Sequence, residues 1–321
     1  MNQETGDLQH LRAVLRITQN HIDHEAEKGD SHTLDETVQS HVPVLTFRYV
    51  HTTRPSSQLE AEIRHLWHTV IEAAKNWDAA NPKQDTLVRY VLSARARGRL
   101  TRPLKDIDGD DPIDDERLDA TPFSDGNLFW SDLPHLGRSM MEEWAHQFHT
   151  ANRDHEDNLR QNLAAFVGRL MSVGIWDGSA ACALSLFRET LETQRPLTLL
   201  QVPDIVKNET ETGLPTQSLI SALLQMLYYS EGSIVDPSNN SGQSVRDLLS
   251  PETSELGELA MQSGLSSPGF NPDRWRFWIQ RLEALTKCEV LSVAEKAESC
   301  LDVMRSATES IYGPLASKLK Y

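Results

Sequence analysis

Apolar residues recur every three or four positions along most of the chain, the period of helices that bury one face. Leu8, Leu11, Leu15, Thr18 and Ile22 form one such stripe over 5–27. Leu59, Ile63, Leu66, Trp67, Val70, Ile71, Ala74 and Trp77 form a wider one over 56–78, and Ser56 or Ser57 is placed to cap it. The same spacing predicts helices over 83–97, 156–174, 178–193, 216–230, 272–286, 292–305 and 307–319, with a shorter one over 33–40. Gly174 and Gly178 bracket a turn, so the segments flanking it are expected to form an antiparallel pair. The run VPVLTFRYV at 42–50 is β-branched and aromatic and has no visible partner strand, so a short strand, an extended loop and a helix start all remain open.

Residues 126–149 organise this pattern. Leu133, Leu136, Met140, Trp144 and Phe148 recur on one helical face. Asp132 is placed to cap that helix, with Pro134 in its first turn. Phe129 and Trp130 lie just upstream as a lid or staple, and burial is the expected place for these aromatics. His135, Arg138, Glu142, His146 and His149 fall on the opposite, solvent side.

No internal repeat and no alternation of strands with helices is visible. The expected fold is all-α, an irregular bundle of about ten helices with long loops near 103–125 and 231–270. Residues 1–50 read as an N-terminal helical segment and 51–321 as a single helical domain.

Composition narrows the function. The 321 residues carry a net charge of −16, which argues against binding along a nucleic-acid backbone. Apolar runs fall short of the ~20 residues of a membrane span, and the first ten residues are polar. A cytoplasmic protein with no membrane partner is therefore expected. Cys182, Cys288 and Cys300 have no zinc-site spacing, and free thiols are expected, with Cys182 and Cys300 on apolar faces. No cofactor is implied, because the phosphate-loop, dinucleotide, metalloprotease and serine-elbow signatures are all missing.

Several groupings carry candidate chemistry. Trp130, Asp132, His135 and Arg138 cluster at a loop-to-helix junction. They read either as a capped helix start or as a pocket mouth offering a carboxylate and an imidazole between aromatic walls. Glu142, His146 and His149 share one helical face and have the residue types of a metal site, although a solvated face is the plainer reading. The aspartates of 110–115 match the letters of a diphosphate-binding motif, but Gly109 and Pro112 favour a solvated loop. Arg274 and Arg276 flank Trp275. Stacking or ion pairing would make them structural, and facing a cavity would make them anion ligands.

Three segments together resemble one known family. The first holds Trp67, Ala73 and Ala74, then Pro82, Gln84, Asp85, Leu87 and Val88. The second is Phe129-Trp130-Ser131-Asp132-Leu133-Pro134 with Glu143-Trp144. The third holds Leu186-Phe187-Arg188-Glu189, Leu191-Glu192 and later Gly269-Phe270 through Arg274, Trp275, Phe277 and Trp278. Their order is similar to that in the fungal domain of unknown function 3632, over roughly residues 55–290. The resemblance implies a fungal, intracellular, mostly helical protein and carries no activity with it. The acidic insertion before the second segment is longer than the family pattern.

The functional expectation is a protein that binds a partner or small ligand in an aromatic-lined cleft between helices. Trp130, Asp132, His135 and Trp144 are the candidates on one side, and Arg274, Trp275 and Trp278 on the other. The alternative is an enzyme acting on a fungal metabolite, with acid–base or metal groups near 132–149.

Overall fold

A computed structural model describes residues 2–28, 32–51, 56–103, 118–119, 126–149, 156–176, 178–198, 213–230, 232–234 and 255–312. Among them the chain forms eleven α-helices and one π-helical turn. β structure among the described residues amounts to Arg102–Pro103 paired antiparallel with Leu118–Asp119, and one bridge between Arg99 and Trp130. The all-α expectation holds. The chain gathers into two compact units, Met1–Glu143 and Trp144–Tyr321.

The first unit contains α1 (Asn2–Glu27), α2 (His32–His51), α3 (Ser56–Asn76), α4 (Lys83–Ala96) and the start of α5 (Leu136–His149). Helix α3 is its centre and packs against α1, α2 and α4. Its wide stripe is buried as expected, from Leu59 through Trp67 to Trp77. The short helix over 33–40 and the open reading of 42–50 are both corrected, because one helix runs through Pro43. Val38, Val42, Leu45 and Tyr49 bury one helical face, so a 3.6-residue period overrides the β-branched composition. Pro43 lies on the exposed side.

The second unit contains α6 (Asp157–Ser172), α7 (Gly178–Phe187), the π-helical turn Arg188–Glu192, α8 (Thr216–Tyr229), α9 (Glu258–Gln262), α10 (Pro272–Leu285) and α11 (Leu291–Tyr312). Helix α8 packs on α6, α7 and α11. Gly174, at φ 60°, ends α6: Ile175 N–H reaches Leu170 O at 3.3 Å and Gly174 N–H reaches Met171 O at 3.0 Å. The most extensive neighbour of α6 is α8 rather than the α7 that follows it. A second close approach explains this: a Cβ on Gly168 would stand 2.7 Å from Met226 O, so the bare glycine lets the two backbones meet.

Two further expectations change here. The final pair of helices is one helix to Tyr312, since no breaker separates Met304 from Thr308 on its buried face; residues 313–319 lie outside the described residues. The expected loop at 231–270 contains α9, closed by Gly264 at φ 89°. Most of both long loops, 104–117, 120–125 and 235–254, including the aspartates of 110–115, lies outside the described residues. No helix of the described residues is long and apolar enough to cross a membrane. Cys182 and Cys300 are buried free thiols, and burial pushes both well above the ordinary thiol range.

Candidate functional site

The segment leading into α5 has an unusual backbone. Trp130, Leu133 and His135 all have left-handed φ, at 60°, 47° and 66°. Non-glycine residues rarely take this conformation, so packing must hold each one there. Trp130 is fully buried, donates its ring N–H to Thr46 Oγ1 at 2.8 Å, and meets Phe129 and Trp67 edge-on. Trp67 donates its own ring N–H to Pro134 O at 2.7 Å. These aromatics are core, as expected from their size.

Asp132 does not cap α5. The helix begins at Leu136, four residues on, and the exposed Asp132 carboxylate accepts the Leu128 N–H at 2.8 Å, closing the preceding turn. His135 is likewise corrected: it is 5% exposed rather than on the solvent side. It precedes the helix, so the helical wheel does not govern its direction. Arg138, Glu142, His146 and His149 are exposed as expected.

His135 and Arg138 border a cavity of about 610 Å³ among α1, α3 and the start of α5. Four guanidinium groups line it: Arg12 and Arg16 one turn apart on α1, Arg64 on α3 and Arg138 on α5. Among the described residues none of the four has a carboxylate partner, although other arginines of the chain do. His65 also lines the cavity. It is 5% exposed and neither ring nitrogen has a hydrogen-bond partner. Burial, with His41 and His68 nearby, lowers its pKa to about 4, so at neutral pH it is an uncharged ring with one vacant donor and one vacant acceptor. Glu60 stands 3.9 Å from the His135 ring, and Glu142 and Glu143 complete the acidic side. Glu143 is committed to Lys75 at 2.7 Å.

This gathering was hidden in the sequence. Arg64, His65 and His68 border the apolar stripe of α3, and Arg12 and Arg16 border that of α1. Only the packing of α1 on α3 makes them neighbours. The spacing of each stripe was legible, but the pairing of the helices was not.

The remaining candidates belong to the second unit. Trp144 is buried and stacks on Phe148 at 4.2 Å. Arg274 and Glu192 are both 0% exposed and joined through Nε and Oε1 at 2.5 Å and through Nη2 and Oε2 at 3.0 Å. Trp278 donates to the same carboxylate at 2.6 Å and stacks on Phe187 at 4.2 Å. Trp275 stands edge-on to Trp278. Arg274 is thus the ion-paired residue of the two readings open from sequence, and Arg276 pairs with Asp273 at the surface. The candidates divide between the units: Trp130, Asp132 and His135 belong to the first, and Trp144, Arg274, Trp275 and Trp278 to the second.

The exposed stripe of Glu142, His146 and His149 is not the metal-capable grouping found among the described residues. That grouping is Asp23, His68 and Glu72, whose ligand atoms all lie within 4.8 Å of one another.

No curated protein and no solved structure matches the chain. One family model does, over residues 67–282, a span that runs from Trp67 through the left-handed segment to Leu282 of α10. That match covers more than half of the chain, which therefore belongs to the family described as protein of unknown function (DUF3632).

Proposed function

We propose that this protein binds a small polar molecule carrying a carboxylate or phosphate group in the cavity among α1, α3 and the start of α5. The observation that carries the reading is the set of four guanidinium groups without carboxylate partners around one concavity, in a chain of net charge −16. Arginine forks match carboxylate and phosphate oxygens two at a time. The size supports a metabolite, since about 610 Å³ falls within the ordinary range of ligand pockets. Vacant His65 adds a neutral donor and acceptor beneath the charged rim. This reading favours the polar cavity over an aromatic-lined cleft, supported by the burial of Trp130, Trp144 and Trp278 in the core.

The family resemblance and the acidic charge support a fungal source and a cytoplasmic setting. An enzyme acting on such a molecule is the second reading, favoured by the carboxylate of Glu60 beside the imidazole of His135.

Calorimetric titration with inorganic phosphate and with citrate, against glycerol as the uncharged control, tests the binding. Saturable heat with either anion is expected, weakened at least about ten-fold by Arg64→Gln combined with Arg138→Gln. Absence of anion binding, or an affinity unchanged in that double variant, would overturn the reading. These arginines are exposed, so the double variant should keep its thermal stability.

A further inference from the structure

We infer that Asp23, His68 and Glu72 form a binding site for a divalent transition metal, with zinc the first expectation, between α1 and α3. His68 and Glu72 are one turn apart on α3, so both side chains leave the same face. Helix α1 supplies Asp23 from across the helix pair, with its carboxylate 2.9 Å from His68 Nε2. The three ligand atoms lie within 4.8 Å of one another. Ligands held roughly 2.0–2.2 Å from a tetrahedral zinc stand about 3.3–3.6 Å apart, so the widest pair must close by roughly 1 Å, within reach of carboxylate rotamer changes. One imidazole and two carboxylates form an intermediate donor set. It suits zinc, manganese or iron and not the soft thiophilic ions.

A second observation points to a ligand at the same place. His68 lines the cavity, and one turn before it on α3 stands His65, 5% exposed with both nitrogens unpartnered. The site thus adjoins the concavity through His68, and three protein ligands leave a coordination position for water or a ligand atom. Structural zinc sites are closed by four protein ligands, whereas sites that bind exchangeable groups keep a position free. Lys75 bridges Glu72 at 2.5 Å and Glu143 at 2.7 Å. With a metal on Glu72, the ammonium keeps Glu143 as its partner and its charge stays compensated. The site does not depend on the anion reading, because it is tested with metal alone.

The experiment is titration of the chelator-treated full chain with Co²⁺, read by visible absorption, and with Zn²⁺, read by calorimetry. One equivalent should bind, and the cobalt bands should report low coordination number. His68→Gln and Asp23→Asn should each weaken binding at least ten-fold. His146→Gln, on the exposed stripe of α5, should leave it unchanged. Glu72→Gln is set aside because it also breaks the Lys75 pair. Asp23 is about two-fifths exposed in its side chain and tolerates replacement. Metal binding that survives both ligand variants, or that His146→Gln abolishes, would overturn the site, as would a folded wild type that binds neither ion above buffer level.

Discussion

Arg274 grips Glu192 through two N–H···O bonds, and neither side chain has any exposed surface. The carboxylate also accepts Trp278 Nε1–H at 2.6 Å and Gly257 N–H at 2.7 Å, so each oxygen accepts two hydrogen bonds. Arg274 in turn donates to Gly269 O and Glu255 O. One ion pair thus ties the π-helical turn to α10 and to the segment before α9. Removing one partner of a buried pair strands the other charge. Glu192→Gln is expected to cost about 3–5 kcal/mol, measured by urea unfolding. A double cycle with Arg274→Met should show strong coupling. A loss under about 1 kcal/mol would mean that water already reaches the pair.

His65 makes stability depend on pH. Its folded pKa, about 4, lies below the ordinary histidine value of 6.5 because burial disfavours the imidazolium. Between those values the unfolded chain binds a proton that the native protein refuses. The contribution is therefore complete above pH 6.5, is lost as pH falls toward 4, and is flat below. At roughly 1.4 kcal/mol per unit the loss is on the order of 3 kcal/mol. As the pH falls through this window, the melting temperature of the wild type should drop relative to that of His65→Gln. Parallel curves would mean that His65 protonates freely in the native state.

The legible part of the fold was the part set by repeating side chains. The stripes of α1, α3, α5 and α10 were readable because each apolar residue has to find cover, whatever covers it. Helix α2 misled at 42–50 because β-branched residues and Pro43 describe local preference, while Val38, Val42, Leu45 and Tyr49 obey a tertiary demand. Asp132 misled because capping chemistry and turn-closing chemistry use the same residue type; only the three left-handed residues around it decide where α5 starts. The cavity was unreadable for a different reason. Its arginines and histidines come from α1, α3 and α5, and no spacing along one helix shows which helices pack together.

The α6–α8 contact depends on a missing methyl group. A Cβ at Gly168 would meet Met226 O at 2.7 Å and Ser230 N at 3.3 Å, both backbone atoms that cannot swing aside. Gly168→Ala should cost about 1–3 kcal/mol, even though alanine is the better helix former. Gly174→Ala meets nothing within 4 Å and suffers only from its φ of 60°, so about 1 kcal/mol is expected. Denaturant midpoints of the two variants check the order. A Gly174→Ala variant less stable than Gly168→Ala would show that the helices adjust and that the turn is the tighter constraint.

Gln84 closes the end of α3. It is fully buried, and its Nε2 donates to Ala74 O at 2.7 Å, a last-turn carbonyl that the helix leaves open, and to Trp77 O at 2.9 Å just beyond the helix end. Gln84→Ala strands both, which should cost about 2–3 kcal/mol. Gln84→Glu is nearly the same shape but places a carboxylate against two carbonyl oxygens, so at neutral pH it should be worse than alanine. Its carboxyl is then held protonated more readily in the native state than in the unfolded chain. The extra penalty is therefore full above the native pKa and shrinks as pH falls toward the ordinary glutamate range, where the acid can donate to one of the carbonyls. Urea unfolding of both variants at neutral and mildly acidic pH reads this difference with other titrations held in common. If the glutamate variant matches glutamine at neutral pH, the side chain has turned to another partner and Gln84 is not the cap of α3.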